Sequence, residues 1–356
     1  MMSSQLLDIF KGKKVLVTGH TGFKGSWLTA WLNELGANVI GVSLNVPTKP
    51  SHFEILNFNN IESYNLDIRN FDAVKNLVKE KSPDYVFHLA AQSLVINSYK
   101  NPIDTWSTNL MGTVNILESL KYLTNNCSAV LITSDKCYDN LEWKWGYREN
   151  DKLGGPDPYS ASKGAAELAI SSYFRSFFKK NNNIRIASAR AGNVIGGGDW
   201  SQNRLIPDCI RAWSSEESVI LRNPNSTRPW QHVLEPLSGY LTLAKNLSSN
   251  DELNGKSFNF GPSELLTKSV LDLVKKMSEY WPKVKWKLEK NNDIFHESAL
   301  LKLNCDLAHE FLNWKPKLNF ADTTKMTVLW YKNFFDNQIA DSKEFTINQI
   351  NEYMKI

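Results

Sequence analysis

Cysteine is scarce in this chain. Only Cys127, Cys137, Cys209 and Cys305 occur in 356 residues, with no CxxC pair and no Cys/His grouping, so neither a disulfide framework nor a thiolate metal site is expected, and a reducing compartment fits. No apolar run approaches the roughly 20 residues of a membrane helix. The opening MMSSQLLDIFKGKK is also too polar for a secretory signal, and a cytoplasmic protein is expected. Charge of one sign is lacking too: 41 basic against 37 acidic residues leave +4, too little for a nucleic-acid or membrane surface. There is no internal repeat. The Asn-rich stretches at Asn59-Asn60 and Asn181-Asn182-Asn183 read as surface turns.

The chain is long enough for about two structural units, and 42% hydrophobic with 22% charged residues places it among globular proteins rather than disordered or fibrous ones. Its twelve Trp fall mostly in ordinary helix or strand patterns and read as packing residues. Short apolar runs recur at Lys14–Thr18, Asn38–Val42, Tyr64–Asp67, Tyr85–Leu89, Ala129–Thr133 and Ile184–Ser188, with helical spacing between them, for instance over Gly25–Leu32. Six such strands alternating with helices predict an α/β fold, a Rossmann-type doubly wound parallel sheet. After Gly196 the rhythm breaks into clusters of Gly, Pro, Asn and Trp, and an apolar helix near 235–247 returns toward the sheet. The expected organisation is a dinucleotide-binding domain over 1–195 with a returning segment near 233–260. A smaller discontinuous lobe for substrate would span 196–232 and 261–356.

Three groups of residues carry chemistry. Gly19, Gly22 and Gly25, with Thr21 and Phe23 between them, form GxxGxxG between the first strand and the first helix. Glycines there let a pyrophosphate approach the free amides of the helix start. The carboxylate that usually binds the adenosine ribose after the second strand is missing from Val42-Ser43-Leu44-Asn45, and Lys49 leaves the phosphorylated cofactor open. Asp67, ending the third strand, is a candidate for the adenine. Tyr159 and Lys163 stand at i and i+4, on one face of a helix, and Ser134 ends the strand Val130-Leu131-Ile132 upstream. Ser, Tyr and Lys together make a hydroxyl-oxidising site.

On these motifs, and on Leu89-Ala90-Ala91-Gln92, the chain resembles the extended short-chain dehydrogenase/reductase family over nearly its whole length. The resemblance implies NAD as cofactor, held by Gly19, Thr21, Gly22, Phe23, Gly25, Asp67, Ile68, Leu89, Ala90, Ala91, Tyr159 and Lys163. It implies that Tyr159 takes a proton from a sugar hydroxyl, that Lys163 lowers the pKa of that phenol, and that Ser134 orients the hydroxyl. Ser134 is followed by Asp135-Lys136. An acid beside a base is what loss of water from a 4-keto sugar needs, since the ketone acidifies the proton on carbon 5 and the 6-hydroxyl must be protonated to leave.

This pair, with GHTGFKGSWL at 19–28 and ARAGNVIGGGDW at 189–200, looks like the branch of nucleotide-sugar 4,6-dehydratases that takes CDP-glucose. That resemblance implies CDP-glucose as substrate, with Gln92, Asn193, Arg204, Arg228 and His296 on its side of the site. It also implies no metal, no nucleic acid and no membrane partner, and a product that feeds deoxyhexose synthesis for surface polysaccharide. A homodimer or dimer of dimers is expected through helices over about 103–120 and 159–178. A dehydratase or 4-epimerase for another nucleotide sugar, and an inactive NAD(P) sensor, are the other readings.

Overall fold

In the computed structural model the residues described are 9–181, 183–221, 223–262, 268–281, 284–288, 300–336 and 339–356. Seven parallel strands make the central sheet: β1 (Lys14–Thr18), β2 (Asn38–Ser43), β3 (Glu62–Asn65), β4 (Tyr85–His88), β5 (Cys127–Ile132), β6 (Ile184–Ala191) and β7 (Ser257–Phe260). Their spatial order is β7-β6-β5-β4-β1-β2-β3. The order reverses between β1 and β4, which opens a crevice at the carboxyl ends of those two strands. Strands such as β5, CSAVLI, are buried at every residue because helices cover both faces of a parallel sheet.

The sheet differs from expectation at its two edges. A seventh strand, β7, pairs with β6, and β3 covers Glu62–Asn65 rather than Tyr64–Asp67, so Asp67 lies in the turn beyond it.

One face of the sheet carries α1 (Phe23–Glu34), and the other carries α2 (Phe71–Lys81), α3 (Gly112–Leu120) and α4 (Pro158–Tyr173). Further along, α5 (Leu205–Ser214) is followed by α6 (Leu234–Leu247), which returns to pack on β5 and β6. The helices α7 (Phe320–Asp336) and α8 (Ile339–Lys355) close the chain, and α8 lies against α1. Short pairings at 218–221 with 285–288 and 227–228 with 268–269 join the segments before α6 to those after β7, while 194–195 pairs with 231–232 just ahead of α6.

Trp27, Trp31, Tyr240, Trp330, Tyr331 and Tyr353 are fully buried in the core on the α1 side. Two of the indoles find partners across the chain: Trp27 Nε1 donates to Gly197 O at 2.9 Å and Trp31 Nε1 to Met354 Sδ at 3.2 Å. The carboxyl-terminal region is tied to α6 through Glu235. Its Oε1 accepts from the amides of Lys317 (2.8 Å) and Leu318 (2.6 Å), and its Oε2 from the Tyr353 hydroxyl (2.8 Å). Removing this buried carboxylate strands three donors, so Glu235→Ala should lower unfolding stability by about 2–4 kcal/mol. Activity per folded molecule should persist. Chemical denaturation checks this, and an unchanged midpoint would contradict it.

Candidate active site

The glycine turn after β1 is a matter of contact distances. Gly19 has φ +76°, and a Cβ there would stand 2.8 Å from Ala90 N; a Cβ on Gly25 would stand 2.0 Å from Gly19 O. Any side chain at either place would push α1 or the segment after β4 off the turn. Gly22 caps α1 with no side-chain bond, and the first turn of α1 has no acidic residue. The leading amides of α1 therefore point to the crevice without a side-chain cap, the condition an anionic pyrophosphate requires. Thr21 N reaches Ser43 Oγ at 3.3 Å, and Phe23 lies close to Gly196. Leu89, Ala90 and Ala91 follow β4 along the other wall, with the amides of Leu89 and Ala90 held by Thr18 O (3.1 Å) and Thr18 Oγ1 (3.2 Å).

His20 occupies the end of β2. Its ring is bonded to Ser43 Oγ at 2.9 Å and Ser63 Oγ at 2.8 Å, burial lowers its pKa to about 4, and a Cβ on Gly41 would meet the ring at 2.3 Å. A neutral imidazole bracketed by two serines thus stands beside the place where a ribose-binding carboxylate is usually found. Asp67 is engaged by Arg69, with Nη2 to Oδ2 at 2.6 Å and Nε to Oδ1 at 3.0 Å. Hydrogen bonds from Arg69 hold its carboxyl below the usual range. Ile68 is buried next to Gly112.

Ser134 stands where β5 ends, its backbone still extended, and Asp135–Cys137 turn away in one 3₁₀ turn. Ser134 Oγ donates to Asp135 Oδ1 at 2.9 Å and accepts from Lys136 N at 3.2 Å. The Asp135 carboxyl is buried, and burial pushes its pKa up against the opposing charge of Lys136, the Ser134 bond and the charge of Lys24. Space for it comes from Gly192, whose Cβ would lie 2.9 Å from Asp135 Oδ2. Lys136 is half-buried.

Helix α4 brings the remaining groups. Asp157 caps it, accepting from Ser160 N at 2.9 Å, with Pro158 at its first position. Tyr159 and Lys163 are 7% and 5% exposed. Ser134 beside it favours the Tyr159 phenolate, yet burial pushes the phenol up to about 12. Lys163 Nζ points to Ile132 O at 3.5 Å, and burial lowers Lys163 itself to about 8.

The five residues expected on the substrate side fall differently. Arg204 pairs with Asp199 at 3.0 Å, with its charge felt at Tyr159 and Lys24. Arg228 is half-buried, with Nη1 donating to Thr227 O at 2.9 Å, and Asn193 is exposed beside Gly192. Gln92 uses its side chain locally, Nε2 to Thr105 Oγ1 at 2.9 Å and Oε1 from Leu94 N at 2.6 Å. His296 lies outside the described residues.

Two groups were not singled out from the sequence. Lys24, in the first turn of α1, is lowered to about 8 by burial and feels Asp135, Arg204 and Lys163, so a cation faces the acid across the crevice. Its signal was a lysine within GHTGFKG, where an apolar residue would suit the helix start. Glu167 continues the stripe of Tyr159 and Lys163 one turn further along α4, 3% exposed, and a buried carboxylate at that spacing was legible as a polar stripe on an otherwise apolar helix.

A doubly wound sheet with a glycine turn at its switch point and a Ser/Tyr/Lys cluster facing an Asp-Lys turn defines a nucleotide-sugar-modifying short-chain dehydrogenase/reductase. Residues 16–327 match the model of the GDP-mannose 4,6 dehydratase family, and the chain belongs to that family. It is 48% identical over 355 residues to the CDP-glucose 4,6-dehydratase of Salmonella typhimurium, covering 98% of each chain. Against the dTDP-glucose 4,6-dehydratase of Haemophilus influenzae it is 25% identical, covering 89% of this chain and 97% of the relative. Among solved structures it is similar to the epimerase Mth375 of Methanothermobacter thermautotrophicus, with a TM-score of 0.79 and 25% identity, over 96% of this chain and 98% of that one. Among the described residues no helix is long and apolar enough to cross a membrane.

The burial of Lys163 has a measurable cost. Its folded pKa of about 8 lies below the ordinary 10.5, so the unfolded chain binds more protons between those values and stability rises with pH across that window. Below it, at pH 7, the whole cost of about 3 kcal/mol is present. Lys163→Met should therefore raise the melting temperature of cofactor-free protein at pH 7 and flatten the rise between pH 8 and 10, while activity is lost. A variant that melts lower than the parent at pH 7 would contradict this.

Proposed function

We propose that the protein converts CDP-glucose into CDP-4-keto-6-deoxyglucose and water, using NAD that is regenerated in each turnover. The observation that carries this reading is the buried bond from Ser134 Oγ to Asp135 at 2.9 Å, with Tyr159 beside the same serine. An acid meant for a leaving hydroxyl is thereby joined to the group that oxidises carbon 4. The glycine cradle and the uncapped start of α1 suit the pyrophosphate of NAD, and NAD supplies the acceptor, and later the donor, of one hydride. The Salmonella typhimurium relative is named for CDP-glucose, which supports the choice of nucleotide.

Each residue then has a defined task. Tyr159, as phenolate, takes the proton of the 4-hydroxyl while the carbon 4 hydrogen leaves with its electron pair. The ketone acidifies carbon 5. Lys136 is the base for the carbon 5 proton, and protonated Asp135 gives its proton to the 6-hydroxyl, which departs as water. Burial already favours the protonated form of Asp135. Carbon 6 then receives the hydride that left carbon 4, and carbon 5 takes a proton from Lys136. Tyr159 ends with one proton more and Asp135 with one fewer. Ser134, bonded to Asp135 and beside Tyr159, lies between donor and acceptor for the proton that closes the cycle. Gly19, Thr21, Gly22, Phe23, Gly25, Ile68, Leu89, Ala90 and Ala91 line the cofactor side, and Arg204 and Arg228 suit a diphosphate.

The test is turnover of CDP-glucose against dTDP-glucose, UDP-glucose and GDP-mannose, read as the 4-keto product. The highest kcat/KM should belong to CDP-glucose; better turnover of another sugar nucleotide would overturn the substrate assignment. Asp135→Asn should lower kcat by about 10²–10⁴-fold. If that variant keeps its rate, the reaction is an epimerisation that never uses the acid.

The reading includes a homodimer. Ile103 (84% exposed) and Met111 (49%) near α3, and Leu168 (62%) on α4, put apolar side chains in solvent on two helices that pack side by side. A second copy would cover them. Leu168→Glu should turn a dimer into a monomer in sedimentation, and a parent that already sediments as a monomer would refute this part.

A further inference from the structure

Beneath the catalytic groups lies a buried ion pair that the reaction itself does not use. Glu167 and Arg190 are both 3% exposed, and Arg190 Nη2 meets Glu167 Oε2 at 2.7 Å. A buried pair of this kind is weak evidence for stability, since the desolvation of both ions offsets their attraction. Its hydrogen bonds indicate what else it does.

Glu167 Oε1 accepts from Thr133 Oγ1, the residue just before Ser134, and Oε2 accepts from Ser188 Oγ at 2.8 Å and Ser257 Oγ at 3.2 Å. One carboxylate on α4 thus reaches the end of β5, the middle of β6 and the start of β7. Arg190 extends the other way: Nη1 donates to Tyr138 Oη and to Glu149 O, both at 2.8 Å, and the guanidinium lies 5.0 Å from the Tyr138 ring. Tyr138 follows the Asp135–Cys137 turn directly, and its hydroxyl also donates to Asn259 Oδ1 at 2.7 Å. Despite burial, Arg190 and the hydroxyls around it hold the Glu167 carboxyl below its ordinary pKa, so the pair stays ionised.

We propose that the Glu167–Arg190 pair is a two-armed positioning device, its Thr133 arm aligning Ser134 with Tyr159 for oxidation and its Tyr138 arm aligning the Asp135-Lys136 turn for loss of water. Neither residue touches the reacting atoms; each acts through a neighbour. The proposal rests on the dehydratase reading above. Its consequence is that cutting one arm slows one step and leaves the other.

Two mild substitutions cut the arms separately. Thr133→Val keeps the shape of the side chain and removes the hydroxyl that Glu167 holds; Tyr138→Phe keeps the ring and removes the hydroxyl that Arg190 holds. Parent turnover of CDP-glucose in the same assay tests the dehydratase reading first, so failure there is separate from failure of the device. Each variant should lose about ten- to a hundredfold in kcat, the scale of a small misplacement. Tyr138→Phe should accumulate reduced nicotinamide, seen by its near-ultraviolet absorbance after rapid mixing, because oxidation outruns water loss. Thr133→Val should accumulate none. Glu167→Gln, if it folds, should slow both steps. Identical signatures from the two variants, or a lower melting temperature with kcat unchanged, would overturn the proposal.

Discussion

Everything at this site depends on the register between the end of β5 and helix α4. The strand delivers Ser134 and the turn after it, and the helix delivers Tyr159 and Lys163; a slip of one residue in either would separate them. The bonds that set this register are polar and buried: Glu167 to Thr133 and Lys163 to Ile132 O. Apolar packing alone would not choose between neighbouring registers so sharply, because Ile170, Ile186 and Leu131 lie in a continuous core that tolerates small shifts.

The same arrangement is held at a cost in charge burial. Lys163 and Lys24 are both driven toward neutrality, and Asp135 toward its protonated form, by loss of solvent. Those shifts are what acid–base work near neutral pH requires. The fold offsets the expense elsewhere, in the aromatic core on the α1 side and in the Glu235 tie that draws the carboxyl-terminal helices against α6.

Much of this was legible in the sequence where the physics is local. Strands β1, β2, β4, β5 and β6 are buried on both faces, and such strands read as unbroken apolar runs. Strand β7, Ser257–Phe260, was not counted as one because Asn259 interrupts it, and Asn259 is polar for a distant reason: its side chain donates to Tyr147 O at 2.9 Å and Asn304 O at 3.0 Å. Edge strand β3 has little burial, so its bounds slid by two residues. Ser134, Asp135, Tyr159 and Lys163 were found because their spacing is short or ends an element, and the structure brings them together. The raised phenol pKa of Tyr159 and the Arg69 clasp on Asp67 were hidden, since each depends on what surrounds a side chain after folding. Lys24 and Glu167 were not singled out for the same reason: the partners named for them lie 21 to 180 residues away in the chain.

The central claim is that one strand end and one helix gather every acting group around a single hexose, so that one hydrogen leaves carbon 4 and returns to carbon 6 of the same molecule. Turnover of CDP-glucose carrying deuterium at carbon 4, followed by nuclear magnetic resonance of the product, measures this directly. The account predicts deuterium on the new methyl group and a hydrogen from solvent at carbon 5. Deuterium retained at carbon 4, or lost to water, would contradict it.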